Sequence, residues 1–387
     1  MKITLKNTPE QVELIKAMAS RNRDVAYEAQ TALAEFIGPV LAEVINQAPA
    51  LSNLFTTMQY NADDNPSIPL DLYFDVSDED YVQVYSQSRA GGLPTSEVLP
   101  TSSELKIATY SLDSAVSFDR RYAAKSRMDV VAKTMTRVAQ EILLKQNTIS
   151  ANVVMKALDA ASTNSLTHVI KSNADGRFGL ADLNAMMTRS KRIVTSFVGG
   201  TPDARQGRGM TDIIVSPEIV EELRSIAYNP INTKTAPATQ ANQAAGQSGA
   251  TNAEFAPDAS VPTASVIAEQ AYRAAGAPEF YGINVIELNE FGKGQKFNAL
   301  FTGTNYNAPG TDDFTSSTDD LVLGIDRSRE SLIRPVAVDS ENGGEFNLIA
   351  DDQYSIRQNK IGYFGSLEEG RIVLDDRALV GCVVENM

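Results

Sequence analysis

The chain has 387 residues, 43% of them hydrophobic, enough apolar material for two or three lobes with real cores. Its 34 Lys and Arg are outnumbered by 49 Asp and Glu, a formal charge of −15. That charge repels phosphate at long range and excludes a dedicated nucleic-acid binder built on a broad basic face. One cysteine, Cys382, and one histidine, His168, exclude an intramolecular disulfide framework and a four-ligand His/Cys zinc site from a single chain. No run approaches the ~20 apolar residues of a membrane helix, and the start MKITLKNTPEQVELIK lacks a signal-peptide apolar segment. The expectation is a soluble chain, without membrane contact, made in a cytoplasm.

In chain order, Thr8-Pro9-Glu10-Gln11 reads as a helix start, with Thr8 as cap and Pro9 at the first helical position. Helices are predicted over about 9–20 and 22–47, the second interrupted at Gly38-Pro39. Both are only moderately apolar and read as an arm lying on other surfaces. Residues 60–88 hold seven carboxylates (Asp63, Asp64, Asp71, Asp75, Asp78, Glu79, Asp80) and no Lys or Arg, and the alternation in DYVQVYSQ argues strand. Turn residues fill 89–103, and a second strand runs through 104–118. An isolated two-stranded hairpin is marginal in water, so this one is expected to fold onto its own domain or to be completed by another chain.

A single long helix is predicted from about 127 to 161, opened by a capping-box-like pair, Ser126 and Asp129. Its apolar stripe is Val131, Met135, Val138, Ile142, Ile149, Val153, Ala157 and Ala160. The region 119–145 is the most basic in the chain and follows the most acidic. A helix over 180–195 and a strand–helix step over 211–228, capped by Ser216 with Pro217 in the first turn, come next. Residues 233–260 read as a loop low in apolar bulk, followed by a helix at 264–275 and strands near 279–288 and 296–303. Asp-rich turns occupy 311–320, and the C-terminal stretch reads as strands returning to the core.

Sites of chemistry are sparse. His168 is the only imidazole available to a Ser-His-Asp or Cys-His arrangement, no G-x-S-x-G elbow is present, and a surface or strand-edge histidine is the simpler reading. The segment KSNADGRFGLAD, 171–182, places Asn173, Asp175, Gly176 and Asp182 at EF-hand positions, but Lys171 stands where a carboxylate should. It is read instead as a turn with a left-handed Gly176 leading into a helix. Phe291-Gly292-Lys293-Gly294 lacks a phosphate-loop frame. Arg327, Arg329 and Arg334 have donors for phosphate or carboxylate and are read as surface ion pairs. The pairs Asp312-Asp313 and Asp319-Asp320 are read as solvated loop acids, since nothing apolar nearby in sequence would raise a pKa. No catalytic, metal or cofactor site is expected.

The order of elements carries more. LKIATYSLDSAVSFDRR followed by MDVVAKTMTRVAQEILLKQN resembles the return strand of the extended loop entering the spine helix in the major capsid proteins of tailed bacteriophages, the Hong-Kong-97-like shell fold. TDIIVSPEIVEELRSI is similar to the strand–helix step of that family's axial lobe, and IRQNKIGYFGSLEEGRIVLDDRALVGCVV to its closing strands. The resemblance implies an α+β capsid fold: N-terminal helical arm at 1–58, extended β-hairpin loop at 59–104, peripheral domain with spine helix at 105–162, axial domain at 163–310, and the rest of the peripheral domain at 311–387. It implies a virion protein assembled in the host cytoplasm. Hexamers and pentamers would close an icosahedral shell around double-stranded DNA, held by weak non-specific contact, with portal, scaffold or decoration proteins as further partners.

On charge, Asp78, Glu79 and Asp80, with Arg89 at the turn, are expected to meet a neighbouring copy near Arg120, Arg121, Lys125 and Arg127, setting register and specificity. Three alternatives stay open. An encapsulin-type compartment would enclose protein cargo instead of DNA. A soluble α/β enzyme using carboxylates would elute as a monomer with a defined apolar pocket. A tail or decoration component would differ in particle shape.

Overall fold

A computed structural model of the chain describes residues 8–46, 50–61, 63–69, 104–165, 168–173, 175–193, 209–228, 279–280, 282–303, 313–338, 345–351 and 358–387. The expected acidic strand segment at 60–88 from residue 70 onward, the turn at 89–103, the loop at 233–260 and the helix at 264–275 lie outside the described residues. The chain divides into two units. One comprises residues 1–153 and 330–374, the other 154–329 and 375–387.

In chain order the helices are α1 (Pro9–Met18), α2 (Arg23–Asn46), α3 (Arg120–Ala124), α4 (Met128–Ser165), α5 (Leu180–Arg192) and α6 (Pro217–Tyr228). The first strands are β1 (Thr56–Asn61), β2 (Ser67–Pro69), β3 (Glu104–Lys106), β4 (Thr109–Asp119), β5 (Val169–Lys171), β6 (Asp212–Val215), β7 (Glu279–Phe280) and β8 (Ile283–Glu287). Then follow β9 (Asp320–Ile325), β10 (Leu332–Val338), β11 (Asn347–Asp351), β12 (Lys360–Gly370), β13 (Ile372–Val373) and β14 (Leu379–Val384).

The first unit is built on a six-stranded sheet in which β12 pairs β4 antiparallel from Lys360↔Asp119 to Gly370↔Thr109. On its other side β12 meets β11 and β10, and β1 lies parallel to β10. α1, α2 and the N-terminal half of α4 bury one apolar stripe each in a common core: Ile15 and Met18, then Leu33, Ile37, Leu41 and Ile45, then Val131, Met135, Val138 and Ile142. They pack with Phe118, Ile361 and Tyr363 of the sheet. The two N-terminal helices therefore lie on this chain's own core. α2 also runs through Pro39 without a break, contrary to the expected interruption. Pro39 sits on the exposed side, where water can take the carbonyl that the ring frees. Burial of Ile37, Leu41 and Ile45 on the other side offsets the ~3 kcal/mol that an internal proline costs.

α4 spans 38 residues, about 57 Å of helix. The cap expected of Ser126 does not form. Ser126 has φ 53°, closing the C-terminus of α3, and its hydroxyl is buried without a hydrogen-bond partner among the described residues. The expected stripe holds as far as Ile142 and then shifts by one residue, because Gln146, Ser150, Val154, Leu158 and Ala161 are buried in place of 149, 153, 157 and 160. Both polar side chains find acceptors in the core: Gln146 donates to Glu369 at 3.0 Å and Ser150 to the Gln146 carbonyl at 2.6 Å, while the Gln146 side-chain oxygen has no hydrogen-bond partner among the described residues.

The second unit carries a mixed sheet in the order β5-β14-β9-β6-β8-β7. β6 and β9 bury all their residues, as does β14, and they read as continuous apolar runs. Its core joins Phe178, Leu183, Met186, Ile213, Ile219 and Cys382. Ser216 caps α6 as expected, accepting from the Ile219 amide at 3.3 Å. Around 298–300 the chain makes a 3-10 turn where a strand was expected, with Phe291, Phe297 and Phe301 folded inward.

Candidate functional site

β2 and β3 pair over three residues, Ser67↔Lys106 to Pro69↔Glu104, and belong to neither six-stranded sheet. Three pairs cannot stand alone in water. Ile68 and Ile107 anchor them on Ile333 of β10, with Met58, Ile372 and Leu374 packed around. This ribbon is the root from which the acidic segment departs at Pro69 and to which it returns at Glu104.

Arg120, Arg121, Lys125 and Arg127 fall in one stretch formed by α3 and its junction with α4. Arg120 donates through Nε and Nη2 to the Ala19 carbonyl at 3.2 and 3.1 Å, tying α3 to the end of α1. Arg121 pairs with Asp119 at 3.1 Å in an exposed setting. The backbone amide of Arg121, then its side chain, hold the Asp119 carboxyl below the usual carboxylate range. Lys125 and Arg127 are exposed. Asp78, Glu79, Asp80 and Arg89 lie outside the described residues.

Apolar side chains add to the exposed surface of the first unit. Tyr122 projects from the same basic stretch, Phe36 and Val40 from α2, and Leu144 from α4. Ile349 and Phe364 are exposed register partners on β11 and β12. These were missed in the sequence, although Phe36 and Val40, four residues apart and off the buried stripe of α2, were visible there.

Beneath this surface lies a buried polar hub. Glu369 of β12 accepts from Arg334 Nε at 2.7 Å, Arg371 Nη2 at 3.1 Å, Tyr110 at 2.8 Å and Gln146 at 3.0 Å. Arg371 also donates to the Ser52 carbonyl at 3.2 Å and lies over the Phe55 ring, 5.2 Å from its centre. Burial works to raise the Glu369 carboxyl, but Arg371, Arg334 and the Tyr110 hydroxyl together hold it below the usual range. Burial pushes the Tyr110 hydroxyl up. Arg334 is thus a buried partner and not the surface ion pair expected. The sequence could not show this, since Glu369 lies 35 residues away.

In the second unit the sequence reading of Asp319-Asp320 is also overturned, whereas Asp313 is exposed as expected and Asp312 lies outside the described residues. Asp319 and Asp320 are both buried. Asp320 accepts from the Ser216 hydroxyl, and its other oxygen has no hydrogen-bond partner among the described residues. Burial raises its carboxyl to about 6, with Ser216 opposing. Asp319 accepts from the amides of Thr315 at 2.8 Å and Asn386 at 3.2 Å, pinning the turn and the C-terminal strand end together. His168 is buried and not on the surface, its Nδ1 3.0 Å from the Leu379 carbonyl at the β5–β14 edge. Burial pushes the Cys382 thiol up, away from thiolate chemistry. Gly176 adopts φ 68° in the expected left-handed turn, Lys171 pairs with Glu385 at 2.6 Å, and Asp182 accepts from the amides of Asn173 and Gly179, each at 2.8 Å. No helix among the described residues is long and apolar enough to cross a membrane.

No family model matches the sequence, and no curated protein matches it. Solved structures similar to the chain include phage capsids and an encapsulin complex. One is the capsid of cyanophage P-SCSP1u, 13% identical, covering 86% of this chain and 87% of that one with a TM-score of 0.41. Another is the mature capsid of bacteriophage PhiM1, 12% identical over 87% of each chain, TM-score 0.45. A third is the SrpI encapsulin of Synechococcus elongatus, 10% identical over 74% of this chain and 77% of that one, TM-score 0.35.

Proposed function

We propose that the chain is a shell-forming structural protein, the major capsid protein of a tailed phage. Copies assemble in the host cytoplasm as hexamers and pentamers of an icosahedral head around double-stranded DNA. On this reading, residues 1–58 are the N-terminal arm, 59–104 the extended loop, 105–162 and 311–387 the peripheral domain with its spine helix, and 163–310 the axial domain. The observation that carries the reading is the β2–β3 ribbon. It is a three-pair stem outside both large sheets, from which the chain's most acidic segment departs, while the basic stretch 120–127 lies on the same unit.

Such an arrangement suits a chain completed by its copies. Obligate interfaces bury about 2,000–5,000 Å², and many weak contacts per subunit multiply by avidity. Charge pairs between the acidic segment and the Arg120–Arg127 stretch set register more than affinity.

The test is assembly. Electron microscopy of purified protein is expected to show closed shells, and their contents to be DNA and not a protein cargo. Replacing Asp78, Glu79 and Asp80 together by Lys is expected to block or misdirect assembly at low and moderate salt. A wild-type protein that stays monomeric at high concentration refutes the shell reading. Unchanged assembly of the triple variant refutes the charge pairing alone.

A further inference from the structure

Between α1 and α2 lies an apolar groove with a cavity of about 410 Å³, lined by Gln11, Leu14 and Ile15 on one side and Ala32, Leu33 and Phe36 on the other, together with Glu10. Phe36 is 55% exposed at its edge, and Val40, one turn on, extends the apolar stripe. Gln11 places a polar atom in this lining that has no hydrogen-bond partner among the described residues: its side-chain oxygen is fully buried and accepts nothing. A buried acceptor left unpaired is unfavourable, so an occupant that brings an N–H donor as well as apolar side chains suits the groove.

Charge selects the occupant. α1 and α2 carry Glu10, Glu13, Asp24, Glu28, Glu35 and Glu43 against Lys16 and Arg23. A second copy presenting the same face would set carboxylate against carboxylate. A segment combining aliphatic side chains, lysines and no acid fits instead. The segment that directly precedes α1 in sequence, residues 1–7, Met-Lys-Ile-Thr-Leu-Lys-Asn, has this composition and lies outside the described residues. In an extended peptide Met1, Ile3 and Leu5 share one side, and Lys2 and Lys6 the other.

Length also permits it. Asn7 precedes Thr8, which caps α1 by accepting from the Gln11 amide at 3.4 Å. Five extended residues reach about 17 Å, against about 15 Å for the whole of α1. A chain reversing at Asn7 can therefore bring Ile3 and Leu5 alongside Gln11 and Leu14.

We propose that the α1–α2 groove is the docking site of the chain's own residues 1–7, with Ile3 and Leu5 in the cavity, a tail amide on the Gln11 oxygen, and Lys2 and Lys6 toward the glutamates. Tethering holds the segment at high effective concentration, so a shallow groove suffices. This assignment is independent of shell assembly.

Hydrogen exchange of the intact chain, read at single residues by mass spectrometry, tests it. The amides of residues 3–6 are expected to exchange at least tenfold more slowly than in the synthetic peptide MKITLKN. Protection is expected to vanish in Leu5→Glu and in Phe36→Glu. Phe36 is exposed, so its replacement leaves the core intact, which protection of the α4 amides verifies. A Lys2→Glu/Lys6→Glu variant is expected to lose part of the protection, and added salt to weaken it in the wild type. Free-peptide exchange rates in the wild type, or protection indifferent to Phe36→Glu, overturn the proposal. So does protection that rises with protein concentration, which assigns the occupant to another copy.

Discussion

Replacing Glu369 by Gln keeps the shape of the side chain and removes the anion on which two buried guanidinium groups converge. Arg334 and Arg371 then face each other across a neutral amide, and Tyr110 and Gln146 lose a charged acceptor. Removing one partner from a buried ion pair costs about 3–5 kcal/mol, because the remaining charge stays out of water uncompensated. With a urea dependence of ~2 kcal/mol per molar, a loss of about 4 kcal/mol lowers the unfolding midpoint of the first unit by about 2 M. The protein has no tryptophan, so near-ultraviolet circular dichroism of its tyrosines follows this unit, where Tyr110 and Tyr363 are held in packed surroundings. The pH dependence has a definite sign. Glu369 is held below its ordinary value, so its contribution is present above the ordinary carboxylate range and is lost as pH falls through the folded value. The gap between wild type and Glu369→Gln therefore narrows in acid. Arg334→Met combined with Glu369→Gln should cost less than the two single changes added, by about 1–3 kcal/mol. Strict additivity, or a midpoint drop below about 0.5 M, would falsify the claim that the hub acts as one energetic unit.

Asp320 predicts the opposite pH trend for the second unit. Its carboxyl is raised from 3.8 to about 6, so the stability it allows is full below 3.8 and is lost as pH rises through about 6. That loss is about 3 kcal/mol at most, and Asp320→Asn should abolish it: the stability of variant over wild type, measured by urea unfolding, should grow by about 2 kcal/mol between pH 4 and pH 7. A constant difference across that range refutes the assignment. Gly370→Ala brings a methyl to 2.9 Å from the Ala108 carbonyl and 3.0 Å from Pro335, at the end of the β12–β4 ladder. Backbone cannot yield as a side chain does, so a loss of about 1–3 kcal/mol is expected, and a variant as stable as wild type in thermal unfolding argues against so close an approach.

Periodicity alone was enough to read α4, α5, the Ser216-capped β6–α6 step and the left-handed turn at Gly176, because each depends on residues a few places apart. The same logic failed where partners are distant. α4 changes its buried stripe after Ile142 because Gln146 and Ser150 find acceptors. Gln146 reaches Glu369, 223 residues on, and nothing in the local pattern announces that bond. Arg334 read as a surface cation and Asp320 as a loop acid for one reason: whether a charge is solvated depends on which strands close over it, and β10 meets β12 in one sheet, and β6 meets β9 in the other, only in the folded chain. Pro39 likewise looked like a helix break until the core contacts of Ile37 and Leu41 were in place. Short-range hydrogen bonding and side-chain spacing are written in consecutive residues. Desolvation is a property of the assembled core, and it alone converts ordinary charged residues into a buried hub.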